Sequence, residues 1–224
     1  IKGAGGVRFG PEALSGVIMV KPDPLTLNKK FYGNVGVGLE SNGQGGNTNF
    51  EIGKGTEHWS YFLNGSYTKI GDRFAPGVKL TEQERTDIYI NSELNTEPRV
   101  SLANTGKEEI AFSFGGRHRI NKWDFKAYYS FIDQTLGLLR ASFPDSGEAL
   151  SDAFNSPVPL IINDFSYDIT SPREETQHHL VKGEVDWYYS DNAKLTFKAG
   201  AQLNRRQEYA VRTNSIRSER TPKI

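Results

Sequence analysis

Apolar and polar residues alternate along most of this chain, and the alternation predicts its secondary structure. The pattern occupies seven runs, at residues 31–40, 48–55, 59–69, 109–120, 122–131, 179–189 and 193–205. One face of the run 122–131 carries Trp123, Phe125, Ala127, Tyr129 and Phe131. A period of two is typical of β-strands that have one apolar and one polar face. We therefore predict an all-β fold with seven antiparallel strands of about ten residues each, which is the length that a tilted strand needs to cross a bilayer.

The connections between these runs alternate in length. The first connection is a compact loop rich in Gly and Asn at 41–47. After it, short links at 55–58, 121–122 and 190–192 alternate with long ones at 70–108 and 134–178. Outer-membrane β-barrels have tight turns on one side and long loops on the other. A soluble β-sandwich, which is the alternative, has no reason to keep its long loops at one end. The pattern therefore favours part of a transmembrane β-barrel.

The three tryptophans share one position relative to the short links. Trp59, Trp123 and Trp187 each lie within three residues of a short link, and each falls on the apolar face. Tryptophan is enriched where a membrane protein meets the headgroup region. We therefore predict that the three side chains form an aromatic girdle, the alternative being three scattered core residues.

The face opposite the aromatic residues is charged. It carries Glu109, Arg117, Arg119, Asp124, Lys126, Lys182, Glu184, Asp186, Lys194 and Lys198. On a sandwich these side chains would form a solvated surface. In a barrel they would line a wet interior, where oppositely charged neighbours such as Arg119 and Asp124 can pair.

Composition narrows the choice of function. The 224 residues have a formal net charge of +0, so no overall field favours nucleic acid, and the absence of cysteine excludes disulfides and a thiol nucleophile. Only 36% of the residues are hydrophobic, which is low for a soluble core but suits strands with one wet face. No apolar run approaches the roughly 20 residues of a membrane helix.

The sequence contains no arrangement that predicts catalysis. The adjacent residues His178 and His179 would point to opposite faces of a strand and could not chelate one metal together. His58 and His118 have no partner at the spacing of metal ligands. We therefore predict that the chain is not an enzyme and holds neither a metal nor a cofactor.

The stretch GVRFGPEALSGVIMVKP, at residues 6–22, resembles the end of the plug domain in TonB-dependent outer-membrane receptors. Arg8, Phe9 and Gly10 match the turn of that motif, and Gly16 begins its apolar strand. The resemblance implies that residues 1–24 end a plug domain. Residues 25–224 would then begin a β-barrel of twenty-two strands, so that the chain is a piece of a longer protein.

This resemblance also implies a function. Such receptors sit in the outer membrane of Gram-negative bacteria and import ferric siderophores or similar scarce solutes, using energy from the TonB–ExbB–ExbD complex. Arg73, Arg140 and Arg173 in the long loops are candidate ligand-binding residues because guanidinium groups suit anionic ferric chelates. A passive porin-like or adhesin-type barrel without a plug is the alternative.

Overall fold

The computed structural model describes residues 25–76, 99–143, 146–155, 164–210 and 216–223. The predicted plug motif, with Arg8, Phe9, Gly10 and Gly16, lies outside the described residues. The remaining segments are mostly β-strand, as the alternation predicts. No helix in the described ranges is long and apolar enough to cross a membrane.

The strands form one large antiparallel sheet and one small ribbon. In chain order they are β1 (Tyr32–Glu40), β2 (Gly45–Gly55), β3 (Trp59–Ile70), β4 (Arg73–Pro76), β5 (Arg99–Leu102), β6 (Lys107–Ile120), β7 (Trp123–Gly137), β8 (Arg173–Ser190), β9 (Ala193–Tyr209) and β10 (Ile216–Lys223). The large sheet has the order β1-β2-β3-β6-β7-β8-β9-β10, and β4 pairs with β5 separately. The described chain also contains a 3-10 turn at Arg140–Ser142 and one α-helix, α1 (Gly147–Asn155).

All seven predicted strands are present, but several are longer than predicted. Strand β7 continues to Gly137 and β8 already begins at Arg173, so both extend into the predicted second loop. The two long connections therefore span 71–106 and 138–172 rather than 70–108 and 134–178. Strands β4, β5 and β10 and helix α1 were not predicted.

The turns at 56–58, 121–122 and 191–192 lie at one end of the sheet, which we call the turn end. The two long connections and the four-residue turn at 41–44 lie at the other, the loop end. Cross-strand pairs put apolar residues opposite one another: Phe114, for example, pairs with Leu63 on one side and with Tyr129 on the other. We call this the apolar face, and the opposite one the polar face. Large side chains on the apolar face are mostly exposed, with Val35 at 80% and Leu39 at 90%. The described residues therefore leave that face uncovered.

At the loop end, Asn104 joins three segments of backbone. Its amide nitrogen donates to the carbonyl oxygens of Leu138 (2.9 Å) and Pro172 (2.6 Å), and its Oδ1 accepts from the backbone N–H of Thr170 (2.8 Å). Asn104 has a φ of 63°, a left-handed conformation that asparagine tolerates better than most residues. Both long connections are thereby held together beside the end of the sheet.

Asp72, which is also buried, adds a second junction there. Its Oδ1 accepts from the N–H of Thr105 (3.0 Å), and its own N–H donates to the carbonyl of Ser166 (2.9 Å). The stacked rings of Phe74 and Phe165, 5.5 Å apart, lie in the same region. The loop end is therefore built by both polar and aromatic contacts between the two connections.

Candidate functional site: the polar face near the turn end

The predicted charges of the polar face come together as one network near the turn end. Antiparallel pairing places Arg117, Lys126, Glu184 and Lys198 in one row across β6, β7, β8 and β9. A second row, one step closer to the turns, contains Arg119, Asp124, Asp186 and Thr196. The order of charges along these rows allows most neighbours to pair.

Asp124 has no solvent exposure and is bound by two arginines. Its carboxylate accepts from Arg117 Nε (2.8 Å) and Nη2 (2.5 Å) and from Arg119 Nη2 (2.8 Å). The expected pairing of Arg119 with Asp124 is thus confirmed, and Arg117 is an additional partner. Charge-assisted bonds of this kind compensate for the burial of the carboxylate.

Asp186 lies directly opposite Asp124 in the sheet and is equally buried. It accepts from Lys126 Nζ (3.1 Å), Lys194 Nζ (2.9 Å) and Thr196 Oγ1 (2.5 Å). Two carboxylates directly opposite one another in neighbouring strands would otherwise repel. The surrounding cations therefore make this arrangement possible.

Lys126 links the two rows because it also binds Glu184 (2.6 Å). Glu184 in turn receives Lys198 at 2.7 Å. Lys182, two residues before Glu184, is exposed and makes no hydrogen bond or ion pair with any described residue. The network thus has one cation on the same face that its carboxylates do not neutralise.

The chain that leads into β1 lies against this network. Arg117 Nη1 donates to the carbonyl of Leu25 (2.8 Å). Asn28 donates to Thr56 (2.9 Å) and Gly55 to Lys29 (2.7 Å), which holds the same segment at the turn end. The residues before β1 therefore approach the sheet at its turn end and on its polar face.

Next to the network the polar face has a concavity of about 1110 Å³, lined by residues of β3, β6, β7, β8 and β9 and by Leu25. Its aromatic part consists of Phe62 and Tyr128, whose ring centroids are 6.2 Å apart. Ser113 donates to Asn64 (2.7 Å) at its border. The concavity therefore combines charged, aromatic and uncharged polar groups.

The three predicted girdle tryptophans lie together at the turn end of the apolar face. Trp123 and Trp187 are a cross-strand pair with stacked rings 5.6 Å apart, and Trp59 stacks on His118 at 3.8 Å. Their exposed fractions are 57% for Trp59, 39% for Trp123 and 37% for Trp187. All three are therefore exposed or half-exposed within the described chain.

The three predicted loop arginines all lie at the loop end, and each contacts the chain's own groups. Arg73 forms an ion pair with Glu40. Arg140 Nη1 donates to the carbonyl of Ser171 (3.3 Å). Arg173 Nε binds Glu175 (2.9 Å), and its guanidinium lies 4.0 Å from the ring centroid of Tyr209.

The two adjacent histidines lie on opposite faces of the sheet, as the alternation predicts. His178 and His179 belong to opposite faces of β8, and His179 Nδ1 lies 2.9 Å from the hydroxyl of Tyr129. Within the described segments, no three histidine or acidic side chains come close enough to hold a metal ion.

The roles of Asp186 and Arg117 were missed in the sequence. Asp186, Lys194 and Thr196 surround the short turn at 191–192, so hairpin pairing across that turn was the available signal. The bond from Arg117 to Leu25 spans 92 positions, and no local pattern indicates it.

No protein-family model, no curated protein and no solved structure matches this chain.

Proposed function

We propose that this chain forms the end of the plug and the first wall strands of a TonB-dependent receptor in the outer membrane of a Gram-negative bacterium. The protein would import a ferric siderophore or a similar scarce solute with energy from the TonB–ExbB–ExbD complex. The membrane part of this proposal rests on the large apolar side chains of the apolar face. They form a band across the sheet, which we call the apolar band, and its direction relative to the strands is the key observation. The transport part rests on the resemblance of residues 6–22 to the plug.

The band crosses the strands obliquely. On its loop side it ends at Leu39 in β1 but at Val181 in β8. The register connects Leu39, through β2, β3, β6 and β7, to Glu175, which is six residues away from Val181. The edge of the band therefore moves along the strands from one side of the sheet to the other.

Its turn-side edge moves in the same direction. In β2 the band ends at Ile52, and the corresponding position in β3 is Leu63. Trp59 extends the band four residues beyond Leu63. Strand pairing places Ile52 in the same cross-strand row as Val181 of β8. In β8 the band continues from Val181 towards the turn end for eight more residues, as far as Tyr189. Both edges therefore lie nearer the turn end in β8 than in β1 and β2, although Tyr67 in β3 and Leu203 in β9 each bring the loop-side edge back by two residues.

This displacement gives the angle between the strands and the band. Six residues of strand span about 20 Å, and the five strand spacings from β1 to β8 cover about 24 Å. The ratio corresponds to a strand tilt of roughly 40°, within the range of about 35–45° found in transmembrane barrels. A soluble sheet has no reason to keep an exposed apolar band at this angle.

The polar face supports the same proposal. Its buried carboxylates are paired, which suits a wall that faces a polar interior. The segment before β1 enters from the turn end and contacts Arg117 on this face. A chain that leaves a plug inside the barrel and then begins the wall would take that course.

Depth measurement tests the membrane part, and the absence of cysteine from the chain allows single-site labelling. We expect nitroxides at Leu39 and Val181, in protein reconstituted into lipid vesicles, to lie at depths that agree within about one residue, or about 3 Å. A nitroxide at Glu175, which shares the row of Leu39, should lie nearer to water. Collisional relaxation by oxygen and by a water-soluble nickel chelate measures these depths.

A label at Lys182, next to Val181 but on the polar face, is the control and should collide little with oxygen from the lipid. Equal access of the nickel chelate to all four labels would mean that the sheet is soluble. Equal depths for Leu39 and Glu175 would contradict the oblique band.

Energy coupling is tested separately, by transport. Cells that carry the protein should take up radioactive iron complexed with a siderophore, and deletion of TonB should abolish that uptake. Citrate, hydroxamate and catecholate complexes of iron would be offered in parallel. Uptake that continues without TonB would identify the passive porin-like alternative.

A further inference from the structure

We propose that Asp23, in the stretch that leads into β1, forms an ion pair with Lys182 on the polar face. The pair would fasten the end of the plug to the barrel wall. This inference deepens the proposed function and rests on it, because Asp23 belongs to the predicted plug. Asp23 itself lies outside the described residues, so its partner is inferred from the described part of the wall and from the two prolines beside Asp23.

The polar face near the turn end has more cations than carboxylates. Its ion pairs join five cations to three carboxylates, namely Arg117, Arg119, Lys126, Lys194 and Lys198 to Asp124, Glu184 and Asp186. Lys182 lies on the same face and adds a sixth cation. In addition, the buried Nε of Arg119 has no hydrogen-bond partner among the described residues. This part of the face therefore carries donors that lack an acceptor.

Lys182 is the cation of this group that most needs a partner. Its neighbours in the same cross-strand row are Tyr128 in β7 and Gly200 in β9, so they offer no carboxylate. It makes no hydrogen bond or ion pair with any described residue. In the proposed receptor the plug covers this part of the wall, and a covered ammonium group is costly unless a carboxylate pairs with it. The partner of Lys182 should therefore come from the plug.

The segment before β1 is directed towards Lys182. Gly55 in β2 donates to the carbonyl of Lys29, and Arg117 in β6 donates to the carbonyl of Leu25. From Lys29 back to Leu25 the chain thus crosses the two strand spacings between β2 and β6, or about 10 Å. Two further spacings in the same direction lead to β8, the strand of Lys182. Leu25 and Lys182 also line the same concavity.

Asp23 is the carboxylate best placed in sequence to reach this point. It stands between Pro22 and Pro24, and a residue before proline favours an extended conformation. Two residues of such chain span about 6 Å, and the side chains of aspartate and lysine can cover the remaining distance. Residues 1–24 contain one other carboxylate, that of Glu12, which is thirteen residues from Leu25.

The pair would have a consequence for transport. Leu25 is already bound to Arg117, and an ion pair at Asp23 would hold the chain to the wall at a second point. Movement of the plug during transport would then have to begin before Pro22, because the stretch after it stays with the barrel.

Carbodiimide cross-linking of the whole protein in detergent tests the pair, because this reagent joins a carboxylate to an amine only where the two are in contact. We expect the main cross-link of Asp23 to be with Lys182, and mass spectrometry after proteolysis identifies it. Lys54, an exposed lysine at the turn end of the apolar face, is the matched control and should not be linked to Asp23. A main link from Asp23 to another lysine, or no link, would overturn the pair.

Charge variants measure what the pair contributes. Asp23→Asn and Lys182→Gln should each raise the amide exchange rate of residues 25–30 at least about threefold, and the double variant should exchange no faster than either single one. Hydrogen exchange followed by mass spectrometry gives these rates. Glu12→Gln removes the other carboxylate of residues 1–24 and should leave exchange unchanged.

Equal effects of Glu12→Gln and Asp23→Asn, or additive effects of Asp23→Asn and Lys182→Gln, would contradict the pair. Neither experiment involves lipid or iron. Absence of the pair would therefore leave the proposed function standing, since the nitroxide depths and the uptake measurements test that function separately.

Discussion

At the residue scale, Asp124 and Asp186 are the most constrained side chains of the sheet. They face each other across β7 and β8, have no exposure, and together bind two arginines, two lysines and a threonine. The favourable energy of such contacts is offset largely by desolvation of the ions. We therefore expect the network to set the register of β7 against β8, which no short turn fixes, more than it raises stability.

Removal of one buried carboxylate should nevertheless be costly. Asp186→Ala leaves Lys194 without its carboxylate, Thr196 without its acceptor and Lys126 with Glu184 alone, so we expect a loss of about 1–3 kcal/mol in the free energy of unfolding. Urea unfolding in the presence of lipid vesicles, followed by tryptophan fluorescence, measures this loss.

Glu208→Ala is the control, since Glu208 pairs with Arg206 at 2.8 Å where both side chains are more than 40% exposed. Its cost should stay below about 1 kcal/mol. Similar costs for the two variants would mean that burial of Asp186 has no energetic importance.

Asn104 permits an equally direct prediction. Asn104→Ala removes three hydrogen bonds to the backbone of the second long connection and the side chain that tolerates a positive φ. We expect amide protection in residues 164–172 to fall at least about tenfold, because each lost bond contributes about 1 kcal/mol. Hydrogen exchange followed by mass spectrometry reports this change.

Asn121 supplies the comparison, because it also has a positive φ, of 50°, but lies in a short turn at the opposite end of the sheet. Asn121→Ala should leave protection in 164–172 unchanged. If both variants loosened that segment equally, Asn104 would have no special role in joining the connections.

At the element scale, the alternation predicted where each main strand lies but not where it ends. Strand β7 was predicted to stop at Phe131, yet it continues to Gly137. Beyond Phe131 the residues on the apolar side are Asp133 and Thr135, so the alternation of apolar and polar residues ends there. The backbone of β7 nevertheless continues to pair with its neighbouring strands. The alternation shows which face of a strand is apolar, but backbone pairing between strands can continue without it.

The elements that were missed lack that pattern altogether. Strand β4 has four residues and exists only through its pairing with β5. Helix α1 begins after Ser146, whose Oγ accepts from the N–H of Ala149 (3.1 Å). It has only nine residues, and its apolar signal is the pair Leu150 and Phe154, four residues apart. The pairing of β4 with β5 joins residues that are far apart in the chain, and α1 is marked only by that pair and one capping serine. Neither feature is apparent from a short stretch of sequence.

At the scale of the whole molecule, the sequence indicated the two faces but could not supply the strand register. Which residues share the charged face follows from alternation alone. The contact of Asp124 with Asp186, by contrast, requires β7 and β8 to be neighbours across a connection of 35 residues, from 138 to 172. Short turns fix the register of hairpins, whereas the two long connections leave it to side-chain pairing.

The oblique band likewise becomes visible only when the strands are aligned. Each run considered alone shows an apolar stretch of ordinary length. The displacement between Leu39 and Val181 appears when five registers are followed in sequence. The angle between the strands and the apolar band can be seen only in the whole sheet, not in a single strand.

The outer edge of β1 has a consequence for assembly. Within the described residues β1 pairs only with β2, so its other edge presents a row of unpaired backbone donors and acceptors. In hydrocarbon those groups must be satisfied, and in water they act as a template for strands of other chains. Neighbouring hairpins can form early because they are close in sequence, whereas in the proposed barrel β1 would have to wait for a distant strand. The edge of β1 would then be the seam at which the barrel closes last, and until closure the sheet would need protection from aggregation.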